Sequence, residues 1–154
     1  MLEFKNLTKT SVNYSSFDKI AKRIFKGEGV KGKTEISVVF VTPAQIKNLN
    51  KKYRQKDEAT DVLSFHVKEE GAHKRQQKKF IFPAKSLLIL GEIVICPQFI
   101  KNTSLAKKED LKKSLERVFV HGMLHLLGYD HIRPKDRAIM KEKENRYLSL
   151  KIII

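Results

Sequence analysis

The sequence predicts an α/β domain (α+β in the looser sense), with a mixed sheet of about four strands flanked by helices. Three observations predict it. Ile36–Val41 and Leu87–Cys96 are apolar runs that read as buried strands. Around them lie segments whose apolar residues recur at helical spacing. No internal repeat, low-complexity tract or long linker divides the 154 residues, so residues 1–154 read as a single domain.

Taken in order, residues 2–8 are a weak strand candidate. Ser15 or Ser16 can cap a helix to about residue 26, with Phe17, Ile20, Ala21, Ile24 and Phe25 on one stripe. After the strand at Ile36–Val41, Thr42 followed by Pro43 is a cap with proline at the first helical position. That helix carries Ile46, Leu49 and Tyr53 on one side and Lys47, Lys51 and Lys52 outside it. A polar loop, residues 54–61, leads to a strand at Val62–Val67. Residues 68–86 read as a mobile loop carrying Lys74, Arg75, Lys78, Lys79 and Lys85, with no acidic residue from 74 to 85, a solvated stretch or a contact to RNA backbone. Pro97 ends the Leu87–Cys96 strand, and a hairpin between the last two strands would make the sheet mixed. A long helix from about 106 to 127 has the stripe Leu111, Leu115, Val118, Phe119, Gly122 and Leu126. After Pro134 a last helix runs to about 148, with Ile139, Met140 and Leu148 among many charges.

The formal net charge is +15, from 32 Lys+Arg against 17 Asp+Glu, which points to a polyanionic partner, nucleic acid before an anionic membrane surface. Cys96 is the single cysteine, so no intramolecular disulfide forms and the chain suits a reducing cytoplasm. It ends an apolar run and reads as a small core residue. The start, MLEFKNLTKT, has no apolar signal-peptide region, and no stretch approaches the ~18 apolar residues of a membrane span. Ile152–Ile154 is too short to anchor anything and is expected to pack back or fray.

The run HGMLHLLGYDH, residues 121–131, carries most of the functional signal. His121 and His125 are one helical turn apart and share a face. Gly128 and Tyr129 break the helix and let the chain return His131 toward that face. Three imidazoles at one point are a zinc site with one position open, and an open position implies hydrolytic chemistry. The offsets match the metzincin pattern H-E-x-x-H-x-x-G-x-x-H, but Gly122 stands where the general-base glutamate belongs, and no Met-turn is identifiable. The rival readings are a metzincin-like metalloprotease and a structural zinc whose fourth ligand is an acid such as Asp130. Another divalent metal would also suit three histidines.

A second run, LNKKYRQKDEATDVLSF, spans residues 49–65. Arg54 sits where its helix stops, where a guanidinium can clamp a phosphate at two points or pair with Asp57 or Glu58. Thr60 and Asp61 read as a turn held by side-chain to backbone hydrogen bonds.

Together the two runs resemble the YbeY family of bacterial endoribonucleases, the rRNA maturation factors. The family's HGxLHLxGYDH signature is matched by residues 121–131, and its N-x-x-Y-R-x-x-D-x-x-TDVLSF block by Asn50, Tyr53, Arg54, Asp57 and Thr60–Phe65. LGEIVI resembles the family's L-G-D-I-V-I strand, with Glu92 replacing aspartate. If that acid orients a metal-ligating imidazole, one extra methylene shifts the geometry. His66 stands where proline commonly follows TDVLSF.

The resemblance implies a single α/β domain and metal-dependent cleavage of single-stranded RNA. It implies maturation of the 3′ end of 16S rRNA, ribosome quality control, and contact with the small ribosomal subunit and its assembly factors. It places the metal on His121, His125 and His131, one Zn2+ per chain, and the catalytic arginine at Arg54, with His121 serving catalysis through the metal. No membrane and no small-molecule cofactor are expected. The nucleophile would be water or the RNA's own 2′-hydroxyl. A non-catalytic ribosome assembly factor with a structural zinc explains the charge and the fold equally well.

Overall fold

The computed structural model describes residues 2–66 and 88–148. The order of elements is β1 (Leu2–Asn6), α1 (Tyr14–Gly27), β2 (Thr34–Phe40), α2 (Pro43–Arg54), β3 (Val62–His66), β4 (Leu88–Ile95), α3 (Pro97–Lys107), α4 (Leu111–Leu126) and α5 (Pro134–Leu148). The four strands form one sheet in the order β1-β2-β4-β3. β1 and β4 both run parallel to β2, and β3 runs antiparallel to β4, so the sheet is mixed as expected. The basic segment 68–86, Val67 and the terminal Ile152–Ile154 lie outside the described residues.

Alternation along β2 builds the core. Ile36, Val38 and Phe40 are fully buried, and the residues between them are half-buried. On their face the sheet packs against α1, through Phe17, Ile20, Ala21 and Ile24, and against α4, through Leu115, Phe119 and Met123. Burying each of the larger of these side chains stabilises the fold by ~1.5–3 kcal/mol. The opposite face is a smaller cluster of Val41, Ile46, Leu63, Val94 and Cys96 under α2. Burial also raises the Cys96 thiol pKa, consistent with a core residue.

Several local expectations are corrected. The α1 cap is Asn13, which accepts from the Ser15 amide at 3.0 Å and also holds the Ser15 hydroxyl, so the serine is a partner of the cap. Tyr53 is 52 % exposed and meets Phe65 edge-on rather than joining the α2 core stripe. Pro97 does end β4, but as the first residue of α3, a helix the sequence reading missed. The long helix accordingly starts at Leu111, because Lys108 adopts φ 55° and closes α3. The expected cap at Thr42 is present as a full capping box with Gln45.

The β2–β4 register shifts between Glu35 and Ile36, opposite Leu90–Gly91. A Cβ on Gly91 would lie 2.1 Å from the Phe65 carbonyl oxygen, so only glycine fits there.

Candidate functional site

α4 lies across β3 and β4, with Leu126 in its last turn over Gly91 of β4. Gly122 allows this approach. A Cβ there would sit 3.0 Å from Ile93 Cγ2 and 3.3 Å from Ser64 Oγ. Position 122 therefore faces the sheet rather than solvent. His121 and His125, one turn apart, emerge together on the flank of α4 beside Gly122.

The end of α4 is encoded locally. The Gly128 amide donates to the His125 carbonyl at 3.1 Å and the Tyr129 amide to the Leu124 carbonyl at 3.0 Å. Gly128 takes φ 103°, and the pair of bonds is a Schellman closure. Asp130 Oδ1 then accepts from the Ile132 amide at 3.2 Å, a turn that curls the chain around His131. Asp130 is thus engaged with its own turn and does not join the histidine group.

The three histidines meet as the spacing predicted. One ring nitrogen from each lies within 4.8 Å of the others, a group that could hold a metal ion. Nε2 of His121 and Nε2 of His125 are 3.0 Å apart. The rings of His121 and His131 stack at 5.5 Å, and His125 stands edge-on to both. His121 and His125 are half-buried, and His131 is exposed. Burial first, then the neighbouring His121 and His131, push the His125 pKa down to about 4. A neutral imidazole is the form that ligates metal.

Glu144, on α5, completes the cluster and was missed from sequence. Its Oε1 lies 2.5 Å from His121 Nδ1. A carboxylate has no proton to give, so Nδ1 carries the hydrogen and Nε2 keeps its lone pair for the cluster. Glu92, considered for such a role, is exposed on β4 opposite Phe65.

Arg54 reaches the same site from the other side. α2 ends with Gln55 in the left-handed region, and buried Asn50 holds the following loop through the Glu58 carbonyl at 2.9 Å. Arg54 Nη2 donates to the Ser64 carbonyl at 3.2 Å, while the Ser64 hydroxyl donates to the Gly122 carbonyl at 3.3 Å. Ser64 therefore joins the arginine to the histidine helix. The alternative, an Arg54 pair with Asp57 or Glu58, is not among the ion pairs of the described residues, and Asp57 faces Lys47 and Lys51 at 3.9 Å each. Thr60 and Asp61 make the anticipated turn, with Asp61 Oδ1 accepting from the Val62 amide at 2.7 Å.

These groups line one open cleft of about 680 Å³. Arg54, Lys56 and Arg117 line it together with the carboxylates of Glu58, Asp61, Asp130 and Glu144, and His66 is also at its wall. His66 lies two residues beyond Ser64 on β3, so strand alternation puts both on the face toward α4. Within it, the Arg54 guanidinium beside the imidazoles is the part that suits an anionic group.

Comparison with known proteins agrees with this chemistry. Residues 3–151 match the family described as Endoribonuclease YbeY. The protein named Endoribonuclease YbeY from Vesicomyosocius okutanii is 38 % identical over 145 residues, 94 % of this chain and 90 % of its own length. Its namesake from Oceanobacillus iheyensis is 40 % identical over 121 residues, 79 % of this chain and 76 % of its own. The solution structure of TM1509 from Thermotoga maritima superposes with a TM-score of 0.65 at 28 % identity, covering 96 % of this chain and 87 % of that one.

Proposed function

The chain belongs to the YbeY endoribonuclease family, and from that premise we propose that residues 1–154 are one metal-dependent domain that cleaves single-stranded RNA. The observation carrying this reading is the convergence of three imidazoles and Arg54 on one open cleft.

The donor set fits zinc. Ligand nitrogens at ~2.0–2.1 Å from a shared ion lie a little over 3 Å apart, close to the 3.0 Å between His121 and His125 Nε2. His121, His125 and His131 would hold the ion, and three protein ligands leave a position open for substrate or water. When bound, a divalent ion would supply a Lewis acid and lower the pKa of a ligated water. Other divalent metals suit the same donors.

The chain's own residues do the rest. Glu144 fixes the tautomer and direction of His121. Arg54 uses one N–H on Ser64 and keeps the rest of its five donors for a phosphate. Charge gathering on the phosphate oxygens meets a donor already in place, typically worth ~2.7–4 kcal/mol. Gly122 offers no base for the nucleophile's proton, whether that nucleophile would be water or a ribose 2′-hydroxyl. A 5′-phosphate product marks the first and a 2′,3′-cyclic phosphate the second.

The proposed substrate is the 3′ region of 16S rRNA, met in the cytoplasm with the small ribosomal subunit and its assembly factors. The net charge of +15 supports a nucleic-acid partner, and among the described residues no helix is long and apolar enough to cross a membrane. A structural zinc in a non-catalytic assembly factor is disfavoured by the donor count, since structural sites have four protein ligands and the group has three histidines.

The test uses end-labelled single-stranded RNA from the 16S 3′ end, with zinc content quantified. Arg54→Ala is expected to keep metal and fold and to lose cleavage by roughly 10²–10³-fold. Normal cleavage by a metal-loaded Arg54→Ala protein would refute the phosphate role.

A further inference from the structure

His121 and His125 are aimed by a helix, but His131 hangs on a short loop and is exposed. Its place in the group depends on whatever holds that loop. Tyr129, two residues earlier, provides the tie. Its hydroxyl donates to Oε1 of Glu28, which lies 101 residues away at the end of α1. Oε2 of Glu28 accepts from the Tyr147 hydroxyl and from Lys143 Nζ at 3.1 Å. The Glu28 side chain is only 8 % exposed. Burial pushes its carboxyl up, but the three donors outweigh burial and hold it below the usual range. Lys143 also lies 5.8 Å over the Tyr129 ring. The junction is tightly closed, since a Cβ on Gly27 would meet the Tyr147 hydroxyl oxygen at 2.5 Å. Lys143 is adjacent to Glu144, so one turn of α5 serves both ends of the cluster. Glu144 takes His121 directly, and Lys143 and Tyr147 converge on the carboxylate that holds the His131 loop.

We propose that Glu28 is a positioning residue of the metal centre, a buried carboxylate that fixes the His131 loop through the Tyr129 hydroxyl and so completes the three-imidazole group. The inference rests on the reading of His121, His125 and His131 as metal ligands. Neither Glu28 nor Tyr129 touches the metal position. Their effect is preorganisation, since a loop already in place loses less conformational freedom when the ion binds.

The experiment measures zinc affinity by competition with a chelating dye, together with the visible spectrum of the Co2+-loaded protein. The set is the parent, Tyr129→Phe, Glu28→Gln, the double variant and His121→Ala, each followed by thermal unfolding of the metal-free protein. Tyr129→Phe keeps the ring and leaves Glu28 its other two donors, so it tests the tie even if Glu28→Gln folds poorly. Each single change is expected to weaken zinc binding roughly 10-fold and to alter the Co2+ spectrum. The double variant should bind no more weakly than the weaker single one, because the two groups form one link. Parental zinc affinity in Tyr129→Phe and Glu28→Gln, even with lowered melting temperatures, would overturn the proposal and leave Glu28 as a clamp between α1 and α5. Failure of the parent to bind zinc more tightly than His121→Ala would overturn the metal reading, and the Glu28 role with it.

Discussion

Removing the Glu144 carboxylate should weaken metal binding without unfolding the protein. Glu144 Oε1 lies 2.5 Å from His121 Nδ1, and the side chains of Glu144 and His121 are 19 % and 30 % exposed. The contact is short, charge-assisted and partly sheltered from screening. It fixes two things at once, the nitrogen that carries the proton and the rotation of the ring. Loss of such an outer partner typically costs 10–100-fold in metal affinity. At ~1.4 kcal/mol per tenfold, that is about 1.4–2.8 kcal/mol. We expect Glu144→Ala to fall in this range. Glu144→Gln should fall between it and the parent, because an amide carbonyl can still accept from Nδ1 but brings no charge. The assay is zinc competition against a chelator, with Glu142→Ala as the control, since Glu142 is exposed on the same helix. If Glu144→Ala and Glu142→Ala bound zinc equally well, the carboxylate would have no part in orienting His121 and the reasoning would fail.

Two further outcomes follow from the packing and charge of the same cluster. Gly122→Glu, which writes the metzincin sequence into the helix, should destabilise the fold by ~3–5 kcal/mol by forcing an uncompensated charge against Ile93 and Ser64, and should confer no peptidase activity. A folded variant with parental melting temperature would show that position 122 does not face the sheet. In the metal-free protein, His125 has a folded pKa of about 4 against ~6.5 in the unfolded chain. Between those values the unfolded chain binds more protons, so stability is fully present above ~6.5 and is lost as pH falls toward 4. Chemical denaturation of metal-free protein across this window should show that slope in the parent and a flatter one in His125→Gln. Identical slopes would mean that His125 is not the group responsible.

What the sequence disclosed was local. The α1 stripe, the Thr42–Pro43 start and the Gly128–Tyr129 closure each depend on residues within a turn or two of one another, and each is found. The mixed sheet was also legible, because two consecutive strands invite antiparallel pairing. α3 was not. Its N-cap is Cys96 with no side-chain bond, and only Pro97, Ile100 and Ser104 are buried, so there was no stripe to read. Glu144 and Glu28 were hidden for a different reason. Each is a carboxylate among many charges, and their partners lie 23 residues away for Glu144 and 101 and 119 away for the Glu28 tyrosines. Only packing of α5 against α4 and α1 selects them from their neighbours.

Gly122 shows why offset alone does not determine role. Its spacing from the three histidines is that of a metzincin general base. A helix fixes where a residue lies relative to its neighbours, but not which side meets the rest of the protein. Here α4 is laid on β3 and β4 by the stripe that includes Leu115, Val118 and Phe119, and Gly122 belongs to that side. The absence of a side chain there lets Ser64 reach the helix backbone, and Ser64 in turn carries Arg54. The glycine that removes a protease base therefore helps bring Arg54 to the histidines. The same four positions that suggest peptide hydrolysis in one packing arrangement suit a phosphodiester in this one.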